Sequence, residues 1–145
     1  NMKQITIQEA WNNSAFEGLV SSETSYGEMK IITKDFNDII DMGEAELKIG
    51  FDGYTEFGLE LPEWYKNKEY EFVYKFQDVT AMLKAYSSYV SLAAISRETG
   101  INSALLSHYA NGLKVPRNKQ QKIIVAGLHR IGALLSKCTI DDERK

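Results

Sequence analysis

The chain has 145 residues, 43% of them hydrophobic and 26% charged, with 2 prolines and 10 glycines. That composition excludes a collagen-like or mainly disordered chain, and no apolar run reaches the ~18 residues a membrane-spanning helix needs. The net charge of −3 conceals a split: residues 1–79 carry 7 basic and 16 acidic side chains, residues 80–145 carry 10 and 4.

Asn1 reads as a remnant ahead of a natural start at Met2, with no apolar leader after it. Lys3 to Gln8 alternates polar and apolar residues, the pattern of a strand with one buried face. Asn12-Asn13-Ser14 is turn chemistry, and Ala15 to Val20 supplies the second arm of a hairpin. Ser21 to Gly27 reads as a polar loop and Met29 to Thr33 as a third strand. Asp35 is placed to cap a helix, with Asp38 answering it in a variant capping box. Phe36, Ile40, Gly43, Leu47, Phe51 and Tyr54 then recur as one apolar stripe, leaving Asp41, Glu44, Lys48 and Asp52 to solvent. Gly43 on that stripe would let the helix approach a sheet closely. Pro62 ends the helical region, Trp64 to Glu69 reads as a loop, and Tyr70 to Phe76 is an aromatic-rich strand. The order strand, strand, strand, helix, strand predicts an α+β module over residues 1–78.

Beyond Asp78 the period becomes helical. Val79–Val90, Leu92–Thr99, Ser103–Asn111 and Arg117–Lys137 carry it, which predicts an all-α domain over 79–145 with Thr139 to Lys145 frayed. Leu92 to Asn111 fits a helix-turn-helix. Ile95 beside Ser96 makes a small-plus-apolar inner face, Gly100 supplies a turn residue free to take positive φ, and Leu106 and Tyr109 point inward. Asn102 is placed to cap the second helix. Its outward side chains are then Asn102, Ser103, Ala104, Ser107, His108 and Asn111, which are of the size and polarity to meet base edges. Lys114, Arg117, Lys119 and Lys122 follow, where phosphates would lie. Tyr86, Tyr89 and Tyr109 read as core. On the last helix Ile124, Leu128, Ile131 and Leu135 form a stripe with Ile123, Gly127 and Leu134 beside it, wide enough to close the core and leave an edge for a dimer, although packing within the domain alone would also account for it.

Tyr109-Ala110-Asn111-Gly112-Leu113-Lys114-Val115-Pro116-Arg117, with the strand Glu71 to Phe76 and the opening Met2 to Ile7, resembles HicB-type antitoxins that carry a C-terminal helix-turn-helix. The resemblance implies a partial RNase H-like N-terminal module that silences a small HicA-type mRNA-cleaving toxin. It also implies a C-terminal domain that represses the protein's own operon. Where the family usually has a Gly-Asp-Thr turn, this chain has Ile32-Thr33-Lys34-Asp35-Phe36, so no toxin-contact residue follows from the resemblance. The charge split fits independently, since a protein that grips RNA is cationic and an acidic module would occlude it.

An enzyme is not expected. Glu9, Glu44 and Asp78 are the only carboxylates an RNase H-like outline offers for a metal pair, and each reads as a solvated or capping group. His108, His129 and the single Cys138 lack metal-ligand spacing, so neither metal nor cofactor is expected. A lone thiol and no membrane segment suit the cytoplasm. The expected partners are the toxin, operator double-stranded DNA and a second copy, as a homodimer or tetramer, because one recognition helix reads too few base pairs. A stand-alone regulator whose N-terminal module senses a ligand is the alternative.

Overall fold

A computed structural model describes residues 2–20 and 29–142. The loop expected at Ser21 to Gly27 lies outside them, as do the last three residues of the tail expected to fray. Among the described residues the protein is α+β, with a four-stranded mixed sheet and six α-helices. It divides into two compact units, residues 1–85 and 86–145.

In the first unit, β1 (Lys3–Trp11) and β2 (Phe16–Val20) form the expected antiparallel hairpin. The side-chain oxygen of Asn12 accepts from the N–H groups of Ser14 at 3.0 Å and Ala15 at 2.9 Å, and Asn13 takes φ 76°. Asparagine tolerates that left-handed geometry better than most residues. β3 (Met29–Thr33) runs antiparallel to β2, and β4 (Tyr70–Phe76) runs parallel to β1, giving the order β3-β2-β1-β4. A parallel neighbour requires a crossover, here α1 (Ile39–Glu56) and the single turn α2 (Glu63–Lys66).

The entry to α1 departs from the expected capping box. Asp35 does cap, accepting from Asn37 N–H at 2.9 Å, but Thr33 Oγ1, not Asp38, accepts the Asp35 N–H at 3.1 Å. Residues Phe36–Asp38 form a 3₁₀ turn, whose three residues per turn advance the apolar stripe by three. The buried residue is therefore Ile39, fully enclosed, whereas Ile40 is 54% exposed and off the stripe. Gly43, Leu47 and Phe51 stay on it as expected. A Cβ on Gly43 would come within 3.0 Å of the Phe72 ring, so glycine sets the closeness of helix and sheet. The loop expected at Trp64 to Glu69 is in part helical, because the rings of Trp64 and Tyr65 pack on Phe51 with centroids 5.6 and 4.2 Å away.

Glu9 is a second correction. It lies inside β1, inward with Ile5 and Ile7, and is 1% exposed with neither carboxylate oxygen hydrogen-bonded. Burial pushes its pKa up to about 7. Gly18, its cross-strand partner, leaves it room: a Cβ there would sit 2.4 Å from Glu9 Oε1. Asp78 does cap, accepting from Ala81 N–H at 2.8 Å, and Glu44 accepts from the Tyr70 hydroxyl. The opposite sheet face is open, with Gln8, Glu17, Leu19, Lys30 and Lys75 lining a shallow groove.

The boundary between units falls later than the expected Asp78. α3 (Val79–Tyr86) belongs almost wholly to the first unit, where Lys84 Nζ sits 5.4 Å over the Trp11 ring. The helix expected through Val90 stops at Tyr86, and Tyr89 is 62% exposed instead of core. Among the described residues the second unit accordingly holds three helices beyond α3: α4 (Leu92–Thr99), α5 (Ser103–Ala110) and α6 (Asn118–Leu135). On α6 the stripe is buried only at Ile124 and Gly127, while Leu134 and Leu135 are 71% and 61% exposed.

Candidate nucleic-acid interface

The surface that could read a duplex is built by the turn between α4 and α5. Ser91 caps α4 by accepting from Ala94 N–H at 3.0 Å. Gly100 ends it in the left-handed conformation, φ 77°, with its N–H donated to Ser96 O at 2.8 Å. A side chain at that φ would be strained, which explains the glycine. The Ser96 hydroxyl then donates to Ile101 O, and Asn102 caps α5 by accepting from Ala104 N–H at 2.7 Å. Small size at position 96 thus serves a hydrogen bond that holds the turn as well as the close approach of the helices.

Beneath this turn Ile95, Ile101, Leu106, Tyr109 and Ile124 are buried, and α4 packs against both α5 and α6. A Cβ at Gly127 would lie 2.5 Å from Thr99 Cγ2, so that glycine lets α6 reach the end of α4. Arg130 fastens the same junction, donating from Nε to Glu98 Oε1 at 2.6 Å and from Nη2 to Glu98 O at 3.1 Å. The one acid between Ser91 and Lys137 is thereby already engaged by a base.

With its inner side fixed, α5 turns Ser103 and Ala104 fully outward, flanked by exposed Asn102 and Asn111, with Ser107 half-buried among them. Asn111 reaches back to donate from Nδ2 to Ser107 Oγ at 3.4 Å, so these two polar groups form one patch. Asn102 has its side-chain oxygen committed to the cap, leaving its amide hydrogens for any ligand. His108 departs from the exposed position expected for it. It is half-buried, and its Nδ1 is enclosed with no hydrogen-bond partner, so only the Nε2 edge is left to face outward. Lys114, Arg117, Lys119 and Lys122 are all exposed and make no ion pair among the described residues.

Two apolar residues belong to this surface and were not singled out for it. Leu113 and Val115 are 71% and 85% exposed on the segment joining α5 to α6, between Gly112 at φ 74° and buried Pro116. The bracketing Gly and Pro were the available signal, since they fix a short loop whose alternate residues must point to water. The arrangement offers short polar donors and acceptors, small apolar groups and four exposed cations with no ion pair among the described residues, and no group of three metal-binding side chains occurs among those residues. No helix among them is long and apolar enough to cross a membrane. No protein-family profile, curated protein or solved structure matches the chain.

Proposed function

We propose that this protein is a HicB-type antitoxin and autorepressor. On this reading α4 and α5 are a helix-turn-helix whose second helix enters the major groove, with Ser103, Ala104, Ser107 and Asn111 against base edges. Lys114, Arg117, Lys119 and Lys122 then hold phosphates on either side. The N-terminal unit, read as a partial RNase H-like module, carries no catalytic role. It binds a small cationic mRNA-cleaving toxin through its negative charge. A homodimer or tetramer in the cytoplasm would place two such helices on a two-fold operator. The observation that carries the reading is the α5 surface, where Ser103 and Asn111 are exposed and Ser107 is half-buried, followed by four exposed cations that make no ion pair among the described residues.

The test is binding of the full chain to double-stranded DNA from upstream of its own gene, by fluorescence anisotropy, with Ser107→Ala and Asn111→Ala. Each should weaken binding by about 1–3 kcal/mol and leave toxin neutralisation on co-expression intact. Loss of neutralisation with unchanged DNA affinity would reverse the assigned division of labour. A gene with no basic neighbour, whose product still binds its upstream DNA, would favour a stand-alone ligand-sensing regulator.

A further inference from the structure

The acidity of the N-terminal unit is not spread evenly. Residues 35–63 hold nine carboxylates and one base, Lys48. That lysine is tied to Asp52 at 2.9 Å, and Glu63 is tied to Lys66 at 2.8 Å. Asp38, Asp41, Glu46, Glu56 and Glu60 make no ion pair among the described residues. The open face of the sheet differs: Glu17, Lys30, Glu71 and Lys75 balance there, with Glu17 and Lys30 3.8 Å apart.

The acidic region also holds exposed apolar side chains. α1 spends Ile39, Gly43, Leu47 and Phe51 on the core, and the helical repeat sets Met42, Ala45, Ile49 and Gly53 along another flank. Ile49 is 66% exposed, and just past the helix Phe57 and Leu59 are 79% and 52% exposed. Single exposed apolar side chains are ordinary, but here three fall within eleven residues of one another in the chain, on and just past a helix that also carries the small residues Ala45 and Gly53. Glu46, Asp52, Glu56 and Glu60 stand next to these residues in the chain.

We infer that the Ile49–Leu59 flank of α1 is a docking surface for a cationic protein, its apolar residues at the centre and its carboxylates at the rim. The inference rests on the antitoxin reading for the identity of that partner, the toxin. An apolar centre within a charged rim is the anatomy of a protein interface. The sign of the rim selects the occupant. Nucleic acid and anionic lipid headgroups are repelled, and a second copy docking through the same face would bring the same carboxylates against these.

The experiment is titration calorimetry of the full chain with the purified product of the adjacent reading frame encoding a small basic protein. Ile49→Lys and the double change Glu46→Lys with Glu56→Lys probe the flank, and Val73→Lys probes the open sheet face. The α1 variants are expected to raise Kd about tenfold or more, the charge reversal also flattening the salt dependence, while Val73→Lys stays within about twofold. Ile49, Glu56 and Val73 are exposed and Glu46 is half-buried, and unchanged circular dichroism verifies each fold. Hydrogen exchange on the wild-type complex, which needs no variant, must slow at residues 56–60. Wild-type affinity in the α1 variants, or a loss confined to Val73→Lys, would overturn this surface and leave the antitoxin reading standing. Failure of the unaltered chain to bind the basic neighbour would remove that reading and this inference together.

Discussion

Replacing Glu9 by glutamine keeps the size of the side chain and removes its charge, which isolates one titration in the middle of the sheet. The carboxyl titrates near 4.5 in an unfolded chain and is pushed up to about 7 by burial in the fold. Below about pH 4.5 both states are protonated and Glu9 takes nothing from stability. As pH rises through that window the unfolded chain gives up its proton while the fold retains it, so stability falls by about 1.4 kcal/mol per pH unit, or about 3 kcal/mol in all. Above about 7 the loss is complete and constant. With a urea m-value of about 1–2 kcal/mol/M, the wild-type midpoint should drop by roughly 1.5–3 M between pH 4.5 and 8. Glu9→Gln should lack this drop, equalling wild type near pH 4.5 and exceeding it at pH 8. Trp11 and Trp64 are the only tryptophans and both lie in the N-terminal unit, so their fluorescence reports the unit that holds Glu9. A stability gap between wild type and variant that stays constant across this pH range would refute the reasoning, because it would mean Glu9 ionises equally in both states.

Gly18→Ala places a methyl 2.4 Å from Glu9 Oε1 and 3.0 Å from Ile7 Cγ2. It should destabilise the N-terminal unit by about 1–3 kcal/mol, and Glu9→Ala in the same chain should recover part of that in a denaturation cycle. Gly127→Ala drives a methyl to 2.5 Å from Thr99 Cγ2, for a loss of about 1–3 kcal/mol in thermal unfolding. Thr99→Ser, which deletes that methyl and keeps the hydroxyl bonded to Ile95 O at 2.7 Å, should relieve it. Lys114→Ala and Arg117→Ala should each weaken operator and random DNA alike and lower the slope of log K against log salt by about 0.9; unchanged slopes would take both side chains off the phosphates.

What was legible in the sequence followed from local chemistry. The Asn12 turn, the hairpin, the aromatic β4, the Gly100 and Asn102 signals around α5 and the close approach at Gly43 each depend on residues within a few positions, or on one repeating stripe. They stand in the structure where the sequence places them. The misplacements have both local and distant causes. A 3₁₀ turn at Phe36–Asp38 shifted the α1 stripe by one residue, from Ile40 to Ile39, because a uniform helical period cannot register a tighter turn. The extent of α3 and the single turn α2 depend on side chains far along the chain, Trp11 under Lys84 and Phe51 against Tyr65. No window of neighbouring residues contains those partners.

Glu9 shows how far pattern and chemistry can conflict within one strand. Alternation from Ile5 and Ile7 assigns position 9 to the interior, while the chemistry of a carboxylate assigns it to water. At the end of the predicted strand Glu9 reads as a solvated or capping group; the structure continues the strand to Trp11 and follows the alternation. The deciding partner is Gly18, nine residues away and directly across the ladder. A β-branched or aromatic residue there would fill the space, whereas glycine leaves room for a carboxyl group that no hydrogen bond compensates. A bare glycine opposite an inward acid is thus a detectable pairing once register is known, and register is what a single sequence leaves open. On α5 the conflict arises only at His108, expected outward and found half-buried. Leu106 and Tyr109 fix which side is inner, and Ser103, Ala104, Ser107 and Asn111 are left outward by periodicity alone. The candidate DNA surface was readable before the fold for that reason. The flank inferred as a docking surface needed the burial of α1 to be known first, since only then do Ile49, Phe57 and Leu59 emerge as apolar residues that the core does not use.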